Sequence, residues 1–197
     1  MVKETDLRVV RTKRLIEDAF FDLLEEVGFA KITVDMIARK AMINRSTFYL
    51  HYSDKFDLLA KTEEEMLRRM RIIIQERIGE IDERALQAGE PLPHIVAILD
   101  FFRTYPAFFR HVTAQGVGSA FALHMVTLVK EIALPRFFGN DVQQTFPIQA
   151  PYFPAFATSL FTGLVGEWIR RDFAESSYEL ASMITGIGLL IREKIRR

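Results

Sequence analysis

The sequence predicts an all-α protein in two parts, an N-terminal three-helix unit followed by a larger helical domain. Three observations lead there. Apolar residues recur at helical rather than strand spacing along nearly the whole chain. Two short helical stretches separated by a tight turn precede a longer one within the first 80 or so residues. Proline and glycine then cut the remainder into helix-length segments.

From Leu15 to Val27, apolar side chains at Ile16, Ala19, Phe20, Leu23 and Leu24 form the i, i+3, i+4, i+7, i+8 stripe of one buried face, and Gly28 ends the run. A second, two-turn helix opens at Thr33, whose hydroxyl can cap free backbone N–H groups, with apolar residues at Val34, Ile37, Ala38 and Ala41. After Met42 and Ile43, Asn44 is read as a further cap for a third short helix, RSTFYLHY, with Phe48 and Tyr52 on one side. Asp54 caps a longer fourth helix, on which Glu64 and Glu65 stand four residues before Arg68 and Arg69. The polar stretch from Gly79 to Pro93 reads as a loop or hinge. Helical patterns then recur at about 93–104, 106–115, 117–136, 152–171 and 177–195, punctuated by Pro106, Gly116, Gly118 and the region from Pro147 to Pro154. The domain boundary expected from this pattern divides residues 1–55 from 56–197.

Composition narrows the functions. The 197 residues are 49% hydrophobic, enough for a real core, and contain no cysteine, which excludes a disulfide framework, a thiol nucleophile and a zinc ribbon. The start, MVKETDLRVVRTKRL, lacks the apolar core of a signal peptide, and no apolar run reaches the length of a membrane span, so a cytoplasmic protein is expected. Net charge is zero, and the first 55 residues carry ten basic against nine acidic side chains, so any affinity for nucleic acid has to come from placement. There is no glycine-rich phosphate loop, HExxH or GxSxG, and the four histidines occur singly, so neither an enzyme, a cofactor nor a metal site is expected.

Two short helices joined by a three- or four-residue turn form the layout that places a second helix in a DNA major groove. With Phe48 and Tyr52 packed inward, that helix offers Arg45, Ser46, Thr47, Tyr49 and Leu50 outward. Arg45 can donate to a guanine edge or to phosphate, Ser46 and Thr47 to phosphate or either base type, and Leu50 can pack on a thymine methyl. Thr33, His51 and Lys55, near helix ends, suit the phosphate backbone.

The string TVDMIARKAMINRSTFYLHYSDKFDLL, from Thr33 to Leu59, resembles the TetR family of regulators, and the likeness extends over roughly residues 8 to 60. It carries the family's threonine at the start of the second helix, its TFY core, its H-aromatic pair and its later lysine. The resemblance implies a recognition helix at Asn44 to Leu50, phosphate contacts from Thr33, Tyr49, His51 and Lys55, and base-proximal roles for Arg45, Ser46 and Thr47. The family often has glycine where this chain has Met42, at a turn position that favours positive φ.

Twelve of the seventeen phenylalanines lie between residues 101 and 173, which fits either an apolar pocket or a filled helical core. The resemblance implies a C-terminal effector pocket, and the residues expected to line it are Phe102, Arg103, Tyr105, His111, Gln115, Phe121, His124, Met125, Phe161 and Trp168, around a small apolar or aromatic effector. The stripe Leu180, Ile184, Ile187, Ile191 and Ile195 is expected to face a partner, with Gly163, Gly166, Gly186 and Gly188 allowing close helix approach, and the family similarly dimerises through its last two helices. A homodimeric repressor of a palindromic operator, released when its effector shifts the fourth helix, is the function this implies. Control by a protein partner is the alternative, with the aromatic region then serving as core or docking surface.

Overall fold

A computed structural model describes residues 7–80, 83–116, 120–138 and 152–196, and among these there is no strand. The helices are α1 (Leu7–Val27), α2 (Val34–Lys40), α3 (Arg45–Tyr49), α4 (Lys55–Arg77), α5 (Glu83–Gln87), α6 (Pro93–Thr104), α7 (Pro106–Ala114), α8 (Ala120–Leu128), α9 (Leu134–Phe138), α10 (Phe153–Arg170) and α11 (Ser177–Arg196). A π-helical turn, Val129–Ala133, joins α8 to α9. The punctuation expected at Gly118 and Pro147 lies outside the described residues. The chain forms two compact units: Met1–Met66 with Ala107–His111, and Leu67–Pro106 with Val112–Arg197.

In the first unit, α1 buries the five residues of its apolar stripe, Ile16, Ala19, Phe20, Leu23 and Leu24. Gly28, at φ 73°, turns the chain out of α1 into a 3-10 turn over Phe29–Lys31. Thr33 caps α2 by accepting from Met36 N–H at 3.2 Å. At the other end of α2, Ile43 N–H donates to Ala38 O (2.9 Å) and Met42 N–H to Arg39 O (3.1 Å), the paired bonds of a Schellman stop. Its left-handed residue is Met42, at φ 54°. Lys40 ties α2 back to α1 through Glu26 (2.7 Å) and Asp22 (3.4 Å). Phe108 and Phe109 complete this unit's core, with the Phe21 and Phe108 rings edge to face at 6.1 Å and Arg110 on Glu25 at 2.8 Å.

In the second unit, α11 and α6 are joined where Leu92 N–H donates to Thr185 Oγ at 3.0 Å. The stretch from Gly79 to Pro93 is more ordered than its polarity suggests, because it contains α5 and buries Leu86 and Leu92 against Ile95, Phe138 and Leu189. α10 ends at Arg170 with Arg171 as its C-cap, and the Trp168 indole N–H donates to Glu175 O at 2.8 Å, with the Phe173 ring edge-on at 4.8 Å. Of the C-terminal stripe, Leu180 is buried and Ile184 and Ile191 line a cavity of the same unit, so these three turn inward, while the Ile195 side chain lies outside the described residues. The exposed side of α11 instead carries Tyr178, Met183 and Leu190. A helix with apolar residues on two faces gave no sequence signal to separate inner from outer.

Met42 is 87% exposed and gains almost no burial in return for its left-handed backbone. That conformation costs a side chain about 1–2 kcal/mol, partly offset in glycine by its greater unfolded-state freedom. Met42→Gly is therefore expected to raise stability by about 0.5–1 kcal/mol in urea unfolding followed by circular dichroism; a loss of stability would show that the side chain is needed.

Candidate nucleic-acid interface and inner cavity

A helix of five residues is held by what it buries. Phe48 is fully buried and Tyr52 nearly so, their rings 5.6 Å apart, which leaves Arg45, Ser46, Tyr49 and Leu50 exposed and Thr47 half-buried. Leu50 is 80% exposed. Asn44 stands at the N-cap position, yet its side chain makes no capping bond; its carbonyl accepts from Thr47 and Phe48 N–H instead, so the Asn44 amide is left pointing outside the helix bonding pattern.

Arg45 is already oriented. Its Nε and Nη2 donate to Tyr49 Oη at 3.3 and 3.1 Å, and Nη1 lies 3.2 Å from Asp35 Oδ1 on α2. The Tyr49 hydrogen bond first, and the Asp35 charge second, raise the Arg45 pKa. Asp35 gave no signal in the sequence, because only the fold brings the start of α2 beside α3.

The loop into α4 is fixed by carboxylates. Asp54 Oδ1 accepts from Phe56 and Asp57 N–H, each at 2.8 Å, as the sequence suggested. Asp57 accepts from Ser53 N–H and from Lys61, both at 2.9 Å, and these bonds, Ser53 first, lower its pKa. Lys61 also donates to His51 O at 3.2 Å. Burial first, then the Lys13 and Lys61 charges, depresses the His51 pKa below 6.5, so Lys13 and Lys61 join His51 in one basic group that single-residue motif matching missed.

Lys55 is bonded to backbone across the first unit. Its ammonium donates to the carbonyls of Phe29 (3.1 Å), Ala30 (3.2 Å) and Ile32 (2.9 Å), with the Phe29 ring 4.9 Å away. All three ammonium protons are thus used to close the turn between α1 and α2.

The second unit holds an apolar cavity of about 110 Å³, on a scale where one water needs roughly 10–15 Å³. Met70, Ile74, Ile98, Leu160, Leu164 and Ile184 are among its lining residues, and the polar side chains in that lining are His94 and Thr185. Of the ten residues expected to surround an effector, Met125 and Phe161 line this cavity. The other eight lie elsewhere. Phe102, Phe121 and Trp168 are buried in packing, Arg103 donates to Glu175 O at 3.3 Å, and Tyr105 Oη accepts from Arg69 at 3.0 Å. His111 stacks at 5.0 Å on Phe29 in the first unit, while Gln115 and His124 are exposed. Aromatic and polar residues drew attention in the sequence, whereas the cavity is walled mainly by aliphatic ones.

A family model described as bacterial regulatory proteins, tetR family, matches residues 16–62, the segment that holds α2, α3 and their supports. Over those residues the chain is of the tetR family of bacterial regulatory proteins. Over 58 residues it is 48% identical to the uncharacterized HTH-type transcriptional regulator YxbF of Bacillus subtilis (strain 168); the match covers 29% of this chain and 15% of that protein's length. In fold, the chain is similar to a TetR transcriptional regulator from Streptococcus agalactiae 2603V (TM-score 0.63, 22% identity, 92% of this chain and 95% of that one). It is likewise similar to the dihydroxyacetone kinase operon activator DhaS (TM-score 0.65, 17% identity, 93% and 97%) and to the fatty acid degradation regulator FadR from Bacillus halodurans (0.65, 16%, 91% and 97%). The family consists of regulators, not enzymes. Among the described residues no helix is long and apolar enough to cross a membrane.

Two outcomes are expected of the side chains described above. Lys55→Met leaves three carbonyls without their donor and is expected to cost about 1–3 kcal/mol of stability, while the salt dependence of DNA binding stays as in the parent. Urea unfolding and binding titrations at several salt concentrations check both halves. Burial holds the His94 pKa down at about 4, below the 6.5 it has when exposed. The unfolded chain therefore takes up a proton first as pH falls, and stability present above pH 6.5 drains away between 6.5 and about 4, by roughly 3 kcal/mol. His94→Phe should remove that part of the acid sensitivity, measured by urea unfolding across the same window.

Proposed function

We propose that the protein is a cytoplasmic repressor that binds a palindromic operator as a homodimer and leaves it when a small apolar effector occupies the cavity of the second unit. The cavity carries this reading. An apolar hollow in a helical core costs packing energy, so a core without a ligand to hold has no use for one. α4, which bears Lys55 near its start, lends Met70 and Ile74 to the cavity lining, so an occupant acts directly on that helix. The free energy available for release is the difference in the effector's affinity for the two states.

On the DNA side, Ser46, Thr47 and Leu50 read base edges together with Arg45, which the Tyr49 hydroxyl holds; Thr33, Asn44, Tyr49 and His51 set register on the phosphates. Lys55 contributes by shaping the head. For the dimer, Tyr178, Met183 and Leu190 on α11 and Phe156 on α10 form exposed apolar surface. Gly163 and Gly186 are exposed on the same two helices, and a Cβ at either would meet nothing of its own chain within 4 Å. Such glycines leave room for a neighbouring helix.

Fragments selected from genomic DNA by the purified protein should contain inverted half-sites about one helical turn apart. On such a site Tyr49→Ala weakens binding to all sequences, whereas Arg45→Ala costs about 1–3 kcal/mol and also relaxes base preference; variants that bind as the parent does would remove α3 from the groove. Sedimentation at micromolar concentration should give the mass of two chains, reduced to one by Met183→Glu with Leu190→Glu. A reporter gene behind the operator decides repression against activation, and regulation that persists with the cavity filled by Leu164→Trp points to a protein partner.

A further inference from the structure

Resting on the effector reading above, the chemistry of the cavity specifies what enters it. Threonines and serines inside helices commonly donate their hydroxyl to the carbonyl four residues earlier, and here Thr62, Thr158, Thr162 and Ser182 do so at 2.7–2.9 Å. Thr185, in the middle of α11 and 2% exposed, does not. Its oxygen accepts from Leu92 N–H, and its own proton has no acceptor in the described chain. Two residues after Leu92 stands His94, 4% exposed, whose Nδ1 has no hydrogen-bond partner. Both side chains line the same cavity, His94 from the first turn of α6 and Thr185 from α11, where it bonds the residue that caps α6. Buried bonding capacity left unused is costly, and in this otherwise apolar lining the Thr185 hydroxyl proton and His94 Nδ1 leave one donor and one acceptor for a polar group.

The lining carries no Asp, Glu, Lys or Arg among the described residues. A carboxylate or ammonium there would be buried without a permanent counter-charge, which is heavily penalised. A pure hydrocarbon would leave Thr185 and His94 unsatisfied. A hydroxyl accepts from one and donates to the other.

We infer that the cavity binds a neutral alcohol, an apolar body of roughly ten non-hydrogen atoms whose single hydroxyl accepts from Thr185 Oγ–H and hydrogen-bonds the His94 imidazole. His94 and the Thr185 hydroxyl thereby set ligand specificity, and the aliphatic lining sets size.

The probes are octan-1-ol, 1-chlorooctane, octanoate and octylamine, with binding to the full-length protein measured by calorimetry at pH 7.5. Octan-1-ol is expected to bind, and octanoate and octylamine at least roughly tenfold more weakly. Thr185→Val should weaken octan-1-ol roughly tenfold while leaving 1-chlorooctane within about threefold; Thr185→Ser, which keeps the hydroxyl, should retain alcohol affinity. His94→Phe should show the same selective loss, and it serves as the second variant if Thr185→Val does not fold. Equal loss of alcohol and chloride in the variants, or no loss of either, overturns the assignment of the hydroxyl while leaving the cavity as an effector site. Octanoate binding tighter than the alcohol overturns it in favour of an acid. If none of the four probes binds, the effector reading itself falls.

Discussion

The burial of Phe48 is the constraint on which the DNA-reading end depends. Five residues fix too few hydrogen bonds to repay helix nucleation, so α3 exists because it packs on α2 with its inner ring buried against Tyr52. Once Phe48 is inward, the 100° step per residue decides which side chains face out, and Arg45, Ser46 and Tyr49 have no other direction to take. Rotation of α3 about its axis would have to expose a phenylalanine, a loss of about 2–3 kcal/mol on transfer alone.

Around that anchor, the first unit is held by side chains bonded to backbone more than by ion pairs. Thr33 closes the front of α2, Asp54 the front of α4, Asp57 the loop between α3 and α4, and Lys55 the turn after α1. Each satisfies groups that helix ends leave over, and each is short enough to fix position closely. The unit reaches a defined shape without an excess of positive charge, which reconciles a net charge of zero with a nucleic-acid surface.

Helix periodicity made the elements readable. The five-residue stripe of α1 is the set the structure buries, and the starts of α6, α7 and α11 fall at or beside the expected positions because proline or a capping residue marks them. The sequence of α5 reads as loop, since its five residues are mostly polar and only Leu86 pays for its place by packing against Leu92. The outward face of α3 was legible because one aromatic pair fixes its phase. The Asp35 to Arg45 pair and the three carbonyls under Lys55 were not, since they join residues brought together by a turn whose geometry no local pattern encodes. The cavity was the least legible part: aliphatic side chains that enclose space and those that fill it have the same composition and the same period.

The first unit is not a continuous stretch of chain. Phe108, Phe109 and His111, from the first turns of α7, are part of its core and cover the Phe21 and Phe29 rings. A fragment ended after Met66 would carry the whole recognition surface and still present bare aromatic edges to water. Shuffling this head onto a different body, in evolution or in the laboratory, therefore requires the new body to supply its own aromatic wedge at that spot, and the modularity suggested by the chain order is only partial.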